Sequence, residues 1–588
     1  MAVAGANRKP GGASSVSRRT FLAATGVAAT ALTADLAAAA TKGDATPPWA
    51  GEADVIVVGS GAAGYTAAIC AARRGAEVLM LEKAGMAGGT TAKSGGVWWT
   101  PNNSLMRKAG LEDPREDAVR LMARLSFPNV YNPSLAYLGL DPGDHALIEA
   151  FYDFASVASD ELDELGALKF TFGTAVDGQR YPDYFGDFPE DKALRGRCLA
   201  PLAPNGQSAG SGAEMIRQLG AAADRMGIRL LLEHGVNDVI TNPAGEVCGV
   251  SAVNGAEAKA FRARKAVIFA SGGFTHNAKL VKDYLLGPIS GGCAVPTNTG
   301  DVIAIATKLG AELGNMKHAW WAQTVFEQAL VSPSVPTDVF YYPSGSMFLV
   351  NRYGHRVVNE KSMYNERAQV HFTVGSGATE YPNYLLYMIY DQRLADDVGS
   401  RRFPYPMPPK GASPPYVISG STLDDLGRKL QDRLAALTEK YGLASSFTLD
   451  EQFSANLAAT RERFNGFARR GIDLDFRRGE RLVDRSYEPA VPNGMPNPTM
   501  YPMADEGPYH CIIIAPGTLD TKGGPKINPK AQMLDADSQP IAGLYGAGNC
   551  IAAPSGQAYW SGGGTLSPAI AFGYLAGVHA AAEPVKPV

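Results

Sequence analysis

The segment 555–577 reads SGQAYWSGGGTLSPAIAFGYLAG, and it sets a phenol and an aliphatic hydroxyl, Tyr559 and Ser561, against the bare backbone of Gly562, Gly563 and Gly564. Either these glycines serve only a turn, or they let a flat ligand approach the chain with two hydroxyls aimed at it. A second bare stretch, VVGSGAAG, carries Gly59, Gly61 and Gly64 in G-x-G-x-x-G spacing, with the acid Glu82 downstream. That spacing permits a tight turn and close approach of a pyrophosphate, and the acid stands where a ribose hydroxyl would be bound. Metal chemistry is not expected: the six cysteines form no C-x-x-C pair, and the eight histidines form no H-E-x-x-H motif. A formal charge of −4 gives no sign of nucleic-acid binding.

These groups need elements to position them. Residues 53–58 form a mostly apolar run ending at Gly59, and residues 62–74 place small and apolar side chains at helical spacing. Residues 77–81 are again apolar and end at Glu82, so the pattern predicts a βαβ start to an α/β, Rossmann-like domain. The helix N-terminus would offer N–H groups and positive dipole to the pyrophosphate. A further glycine and hydroxyl loop, GMAGGTTAKSGGVWWTPNN at 85–103, follows almost at once. A nicotinamide enzyme has no need of it, whereas a flavin ring needs backbone amides along its edge.

Strand-like runs continue to KAVIFASGGF, which ends in Ser271, Gly272 and Gly273. From about 279 to 485 the character changes to irregular Pro- and Tyr-rich stretches and amphipathic helices. In one of these, at 423–440, Leu423, Leu426, Leu430, Leu434 and Leu437 make a packing stripe and Thr422 stands as its cap. After 486 the glycine-rich apolar style returns in PIAGLYGAGNCIA. The expected layout is a discontinuous FAD-binding domain, 46–278 and 486–588, with an α+β substrate or cap domain inserted at 279–485. At the N-terminus, Arg18-Arg19 precede a mildly apolar run and Ala38-Ala39-Ala40, the pattern of a twin-arginine signal over residues 1–45. It implies export to the periplasm or cell envelope, with a cytoplasmic location as the alternative. The apolar run is too short for an integral membrane span.

The segments VVGSGAAG, LEKAGMAGGTTAKSGG, TNTGDVIAIATKLGAEL, LVNRYGHRVVNE and GLYGAGN together resemble the FAD-dependent fumarate reductase/succinate dehydrogenase flavoprotein superfamily, in order and over nearly everything after residue 50. Carried onto this chain, the resemblance implies an FAD set of Gly59, Gly61, Ala63, Gly64, Glu82, Lys83, Gly88, Gly89, Thr90, Thr91, Ser94, Gly95, Gly96, Val236, Ala270, Gly272, Gly548, Asn549, Thr565 and Leu566. No histidine lies in the 88–96 loop where covalent members attach their flavin, so the FAD is expected to be non-covalent.

Dicarboxylate-handling members clamp their substrate with histidine and arginine, because buried carboxylates are costly unless paired. Here the last arginine is Arg485, and D-T-K-G-G at 520–524 has Asp520 where the family histidine would stand. The chain therefore resembles the 3-ketosteroid dehydrogenase-like branch, which includes Δ1- and Δ4-(5α)-ketosteroid and cyclohexanone dehydrogenases. In that branch a tyrosine and a glycine N–H bind the ketone oxygen, a match that carries over to Tyr559 and Gly563. Ser561 resembles the Δ4-(5α) members more than the Δ1 members. Tyr364 aligns with a cap-domain tyrosine proposed as base, and Tyr181 or Tyr184 with another active-site tyrosine. Trp98 and Trp99 resemble an aromatic wall over the flavin, with core packing as the alternative. His318 and His510 read as structural.

The chemistry so implied is desaturation of a small apolar cyclic ketone beside its carbonyl. FAD N5 would take the β hydride, while the α proton goes to a Tyr or Ser base, Tyr364, Tyr181 or Ser561. A donor pair on the carbonyl oxygen is an oxyanion hole, worth about 3–4 kcal/mol per donor removed. The helix after Thr565 is expected to point its N-terminus at the flavin. An unidentified electron acceptor would complete turnover. The competing expectations are an extracytoplasmic fumarate- or enoate-type reductase using reduced FAD, and a flavin-binding protein without turnover.

Overall fold

A computed structural model describes residues 48–174, 178–375, 380–397, 405–443, 447–486 and 494–587. The twin-arginine segment lies outside the described residues. The first apolar run is a strand, Trp49–Val58, and its inner half is fully buried. It pairs in parallel with Val78–Leu81 on one side and with Glu257–Phe269 on the other, so that Val55 faces Val78 and Val58 faces Phe269. Strands buried on both faces read as continuous apolar runs, which is why no alternation marks them in the sequence. The sheet runs Gln532–Leu534, Pro540–Gly546, Glu257–Phe269, Trp49–Val58, Val78–Leu81, Arg229–Leu231, and a meander of Gly235–Thr241 and Val247–Asn254 adds to Glu257–Phe269. Pro540–Gly546 joins in parallel, Tyr545 opposite Ile268, so the C-terminal chain does rejoin the first sheet.

The helix Ala62–Arg73 starts at the end of the first strand and is buried along almost its whole length by the C-terminal helix Leu566–Ala582. The approach is close: a Cβ on Gly573 would stand 2.7 Å from the Ala63 carbonyl oxygen, and one on Gly577 would stand 2.3 Å from that of Ala67. The two helices therefore run side by side in the same direction, Gly573 against Ala63 and Gly577 against Ala67.

A second sheet of six strands centres on Tyr509–Thr521, which pairs with Ala319–Val325, Leu386–Asp391 and Val417–Gly420. That strand follows residue 486 yet belongs to the second sheet, and the first sheet resumes only at Gln532–Leu534. The helix Leu423–Tyr441 packs its leucine stripe into the core beneath this sheet, and the Thr422 hydroxyl accepts the Asp425 N–H at 3.1 Å. A small third sheet joins Trp98–Trp99, Cys198–Pro201 and Phe170–Phe172. Among the described residues no helix is long and apolar enough to cross a membrane.

Candidate active site

Two adjoining cavities run from the first sheet toward the second. The first, about 860 Å³ with its open mouth, is walled by the strand end and helix start at Gly59, Gly61 and Ala63, by Glu82 and Lys83, and by Gly89, Thr90 and Thr91. Val236, Ala270, Gly272, Gly548, Asn549, Thr565 and Leu566 close it. Ser94, Gly95 and Gly96 line the second cavity instead. Thr90, Thr91, Asn549, Thr565 and Leu566 line both, so one elongated ligand can run through.

Gly64 and Gly88 line neither cavity. A Cβ on Gly64 would stand 2.0 Å from the Gly59 carbonyl oxygen, so this glycine serves the close strand-to-helix turn. The Gly88 N–H donates to Ser60 Oγ at 3.0 Å and shapes the loop. The Glu82 carboxylate accepts the Ser60 N–H at 3.0 Å, the Ser60 hydroxyl at 2.6 Å and the Ala84 N–H at 2.8 Å, which fixes it at the edge of the first cavity. Lys83 is tied to Asp301 at 2.8 Å and to Thr299 at 2.7 Å.

The trench fits a dinucleotide. At Gly89 and Gly95 a Cβ would meet nothing within 4 Å, and at Gly61 only Thr91 Oγ1 at 3.5 Å, so side chains there would fill the space a ligand needs. Two helices of twelve and seventeen residues, Ala62–Arg73 and Leu566–Ala582, begin in its wall. Their dipoles suit phosphate and the electron-rich edge of a flavin, although the Leu566 and Ser567 N–H groups donate to the Gly563 carbonyl and the Ala62 N–H to Thr91 Oγ1. Asp520, noted in the sequence only for the histidine it replaces, organises this wall. Its buried carboxylate accepts the Gly273 N–H at 2.9 Å, Thr275 Oγ1 at 2.9 Å, Asn298 Nδ2 at 2.6 Å and Asn549 Nδ2 at 3.1 Å. Burial raises its pKa, and these donors oppose the rise.

The second cavity, about 1180 Å³ with its open mouth, gathers Tyr559, Gly563, Tyr364, Tyr181 and Tyr184 from three separate stretches of chain. The Tyr559 ring stacks against Tyr184 at 6.0 Å and meets Tyr364 edge-on at 5.1 Å. Its hydroxyl accepts the Thr565 hydroxyl at 3.3 Å. Burial raises the Tyr559 pKa, opposed by Thr565, Tyr364 and the Gly563 N–H, all of which face the phenol oxygen. Gly563 is held at φ +93°, and a Cβ there would lie 2.5 Å from the Trp98 Cα. Glycine is thus demanded both by the backbone angle and by packing against the 97–98 backbone.

Tyr184 donates its hydroxyl to Tyr364 at 3.4 Å and stands 3.3 Å from the Tyr341 hydroxyl. Burial pushes Tyr364 and Tyr341 well above the ordinary phenol pKa. Tyr341 was not foreseen, because nothing in YYPSG sets one tyrosine apart from its neighbour. Among the residues lining this cavity Lys93 carries the sole formal charge, and there is no arginine.

Two expectations need correction. Ser561 does not line the cavity: it is fully buried, and its Oγ accepts the Tyr184 N–H at 3.3 Å. Trp98 and Trp99 form no wall over a ligand. Both are fully buried, Trp98 donating to Ser159 at 3.1 Å and Trp99 to Asp183 at 2.9 Å, because their strand belongs to the third sheet and their rings pack on Phe170 in the one case and on Phe151 and Trp560 in the other. His318 and His510 line neither cavity. His510 bonds Gln392 at 2.9 Å and Ser419 at 2.8 Å.

Buried ion clusters hold the tyrosines. Arg197 binds Asp113 through two nitrogens at 2.9 and 2.8 Å, Asp191 at 2.8 Å, and Asp183, which ties down the loop carrying Tyr181 and Tyr184. The short helix Tyr364–Ala368 is fixed by buried Arg367, which donates to Gln323 at 2.7 Å, Ser362 O at 2.7 Å and Val339 O at 2.9 Å.

A parallel sheet ending in a glycine turn, a trench shaped for an adenine–flavin dinucleotide and a tyrosine cavity at its far end define an FAD-dependent flavoprotein. The family described as FAD binding domain matches residues 54–566, and the chain belongs to that family. It is 31% identical to the 4-oxocyclohexanecarboxylate 2-dehydrogenase of Sinomonas cyclohexanicum, over 89% of this chain and 92% of the relative. It is 32% identical to the 3-oxosteroid 1-dehydrogenase of Mycolicibacterium smegmatis, over 90% and 97%. The solved structure of 3-ketosteroid Δ1-dehydrogenase from Sterolibacterium denitrificans, in complex with 1,4-androstadiene-3,17-dione, superposes with a TM-score of 0.75 at 25% identity, covering 90% of this chain and 99% of that one.

Proposed function

We propose that the protein is a flavin-dependent oxidoreductase that desaturates a cyclic ketone, of 3-ketosteroid or cyclohexanone type, next to its carbonyl. One observation carries the reading: the Tyr559 phenol and the Gly563 N–H converge beside Tyr364 in a cavity with no arginine among its lining residues. Such a site grips one neutral oxygen and has no clamp for a dicarboxylate, which speaks against the fumarate-type alternative. The similarity to relatives named for oxosteroid and oxocyclohexane substrates supports the same class.

FAD supplies the hydride acceptor for this reaction. Gly59, Gly61 and Glu82 would hold its pyrophosphate and ribose, and Gly95, Gly96 and Thr565 its ring. A carbonyl oxygen that displaces the contact between the Gly563 N–H and the Tyr559 oxygen accepts from both, and the pair stabilises the negative charge it gains as the α proton leaves. Burial keeps Tyr364 protonated at rest. It therefore acts as one hydroxyl of a relay: the Tyr184 hydroxyl, which donates to Tyr364 at rest, turns to donate to the half-buried Tyr341, and Tyr364 then passes its own proton to Tyr184 as it takes the α proton, with Tyr341 releasing a proton to solvent. Tyr181 completes the wall.

The test is anaerobic mixing of the yellow protein with a panel of ketosteroids and monocyclic cyclohexanones, and of dithionite-reduced protein with fumarate. Bleaching by a cyclic ketone with fumarate inert is expected, and the opposite pattern would reject the proposal. The flavin is bound without a covalent link, so acid precipitation should leave all of it in the supernatant. The twin-arginine segment supports export to the periplasm or cell envelope, checked by cell fractionation before and after replacing Arg18 and Arg19 with lysine.

A further inference from the structure

Lys522 stands two residues beyond Asp520 in the D-T-K-G-G segment and lines neither cavity. It is fully buried, an unfavourable place for an amine unless its hydrogen bonds are used. Its Nζ donates to the Ala558 carbonyl oxygen at 2.7 Å, the peptide bond that leads into Tyr559. The same Nζ lies 4.1 Å from the centre of the Trp320 ring. Trp320 in turn meets the Tyr559 ring edge-on, at 5.4 Å and 87°. The Trp320 indole N–H donates to Asn549 Oδ1 at 2.9 Å, and Asn549 lines both cavities. One buried amine therefore bears on Tyr559 by two routes, through its backbone and through the ring its own ring rests on. The carboxyl of Glu366, on the Tyr364 helix, is the charged group that acts on the amine. Protonated or neutral, the amine keeps a hydrogen for Ala558.

We infer that Lys522 is a positioning residue for Tyr559, fixing the direction in which its phenol meets a substrate carbonyl. The inference rests on the reading of Tyr559 as carbonyl donor. A reacting group displaced by about 1 Å can lose about 100-fold in rate, so Lys522 should show itself in rate and not in stability alone.

The experiment uses the FAD-loaded protein and a cyclic ketone that bleaches it. Lys522→Met, Lys522→Arg, Trp320→Phe and the Lys522→Met/Trp320→Phe double variant are compared for flavin content, melting temperature and the anaerobic flavin-reduction rate constant per bound flavin at saturating ketone. Lys522→Met is expected to keep its flavin and lose about 10–100-fold in that rate constant. Lys522→Arg, which keeps a donor for Ala558, should recover part of the loss. The double variant should be no slower than the slower single one, because both act through one support. A Lys522→Met variant that melts earlier but reduces its flavin at the wild-type rate overturns the inference. Should that variant fail to hold flavin, Trp320→Phe decides by the same criterion. A wild-type protein bleached by no cyclic ketone overturns the reading of the cavity and the inference with it, whereas an active wild type matched by Lys522→Met overturns the inference alone.

Discussion

At the scale of single residues, Tyr559 sits where three donors, Thr565, Tyr364 and the Gly563 N–H, face one phenol oxygen. Replacing Tyr559 with Phe removes one of two groups able to hold a substrate oxygen, and should lower the flavin-reduction rate constant by about 10²–10³-fold. Flavin content should be largely kept, since Tyr559 does not line the first cavity, where the pyrophosphate and ribose would be held. Stopped-flow mixing with a ketone that bleaches the wild type checks this, and a variant as fast as the wild type refutes the oxyanion role. Ser561→Ala should behave differently. Its hydroxyl accepts one backbone N–H inside the protein, so its loss should lower stability by about 1 kcal/mol and leave the rate unaltered. Urea unfolding beside the same stopped-flow assay separates the two. Tyr559, Gly563 and Tyr364 were legible in the sequence because each lies in a distinctive local run. The direction of Ser561 was not, since side chains two apart in a glycine-rich turn follow no fixed period. Tyr341 reaches the cavity only through the path of the chain between two strands of the second sheet.

At the scale of elements, the glycine turn between Trp49–Val58 and Ala62–Arg73 was readable because strand, turn and helix lie together in sequence. The strand Tyr509–Thr521 was not placed correctly by style alone. Its apolar run looks like the C-terminal part of the first sheet, and only long-range pairing with Leu386–Asp391 and Ala319–Val325 assigns it to the second. That strand delivers Asp520 to the flavin trench, so the second sheet contributes to the cofactor wall as well as to the cavity. The loop bearing Tyr181 and Tyr184 has little regular structure of its own and is held by Arg197 against three carboxylates. Burial raises the pKa of Asp183 and of Asp191, consistent with one guanidinium being unable to neutralise all three acids. Arg197→Met would leave buried acids without their cation and should destabilise the protein by about 3–5 kcal/mol. Asp183→Asn, which resembles the protonated acid, should cost far less. Chemical denaturation of both variants checks the order, and equal losses would show that Arg197 does not anchor the loop by charge.

At the scale of the whole molecule, one trench crosses from a mixed sheet with a parallel centre, built by an early and a late stretch of chain, to a sheet built by the stretch between and by Tyr509–Thr521, and stability of the second sheet therefore guards the reaction. His371, on the short turn Gln369–Phe372 that bonds to this sheet through Gln323, is a weak point under acid. Its Nδ1 faces the carbonyl oxygens of Asn383 at 2.9 Å and Tyr384 at 3.0 Å, so it carries the proton, and Nε2 accepts from Gln323 Nε2 at 2.8 Å. The Gln323 amide cannot turn to offer its oxygen instead, because that oxygen already accepts Arg367 at 2.7 Å and Tyr342 at 3.1 Å. A second proton on His371 would therefore meet an N–H, with Arg367 close by. Burial, helped by Arg367, lowers its pKa from 6.5 to about 4. Because the unfolded imidazole binds its proton more readily than the folded one, this contribution is complete above pH 6.5. It is lost as pH falls toward 4, by about 3 kcal/mol over the window. Asp338, raised by burial to about 7, has the opposite sign: its folded form favours the proton, and its contribution fades as pH rises through 7. The two effects are separated by a His371→Gln variant, which cannot titrate. Unfolding free energies measured from pH 7 to pH 4 should fall more steeply for the wild type than for the variant, with the gap opening below 6.5. Parallel curves would mean that His371 already carries its second proton in the folded protein, and that the Gln323 amide is turned the other way.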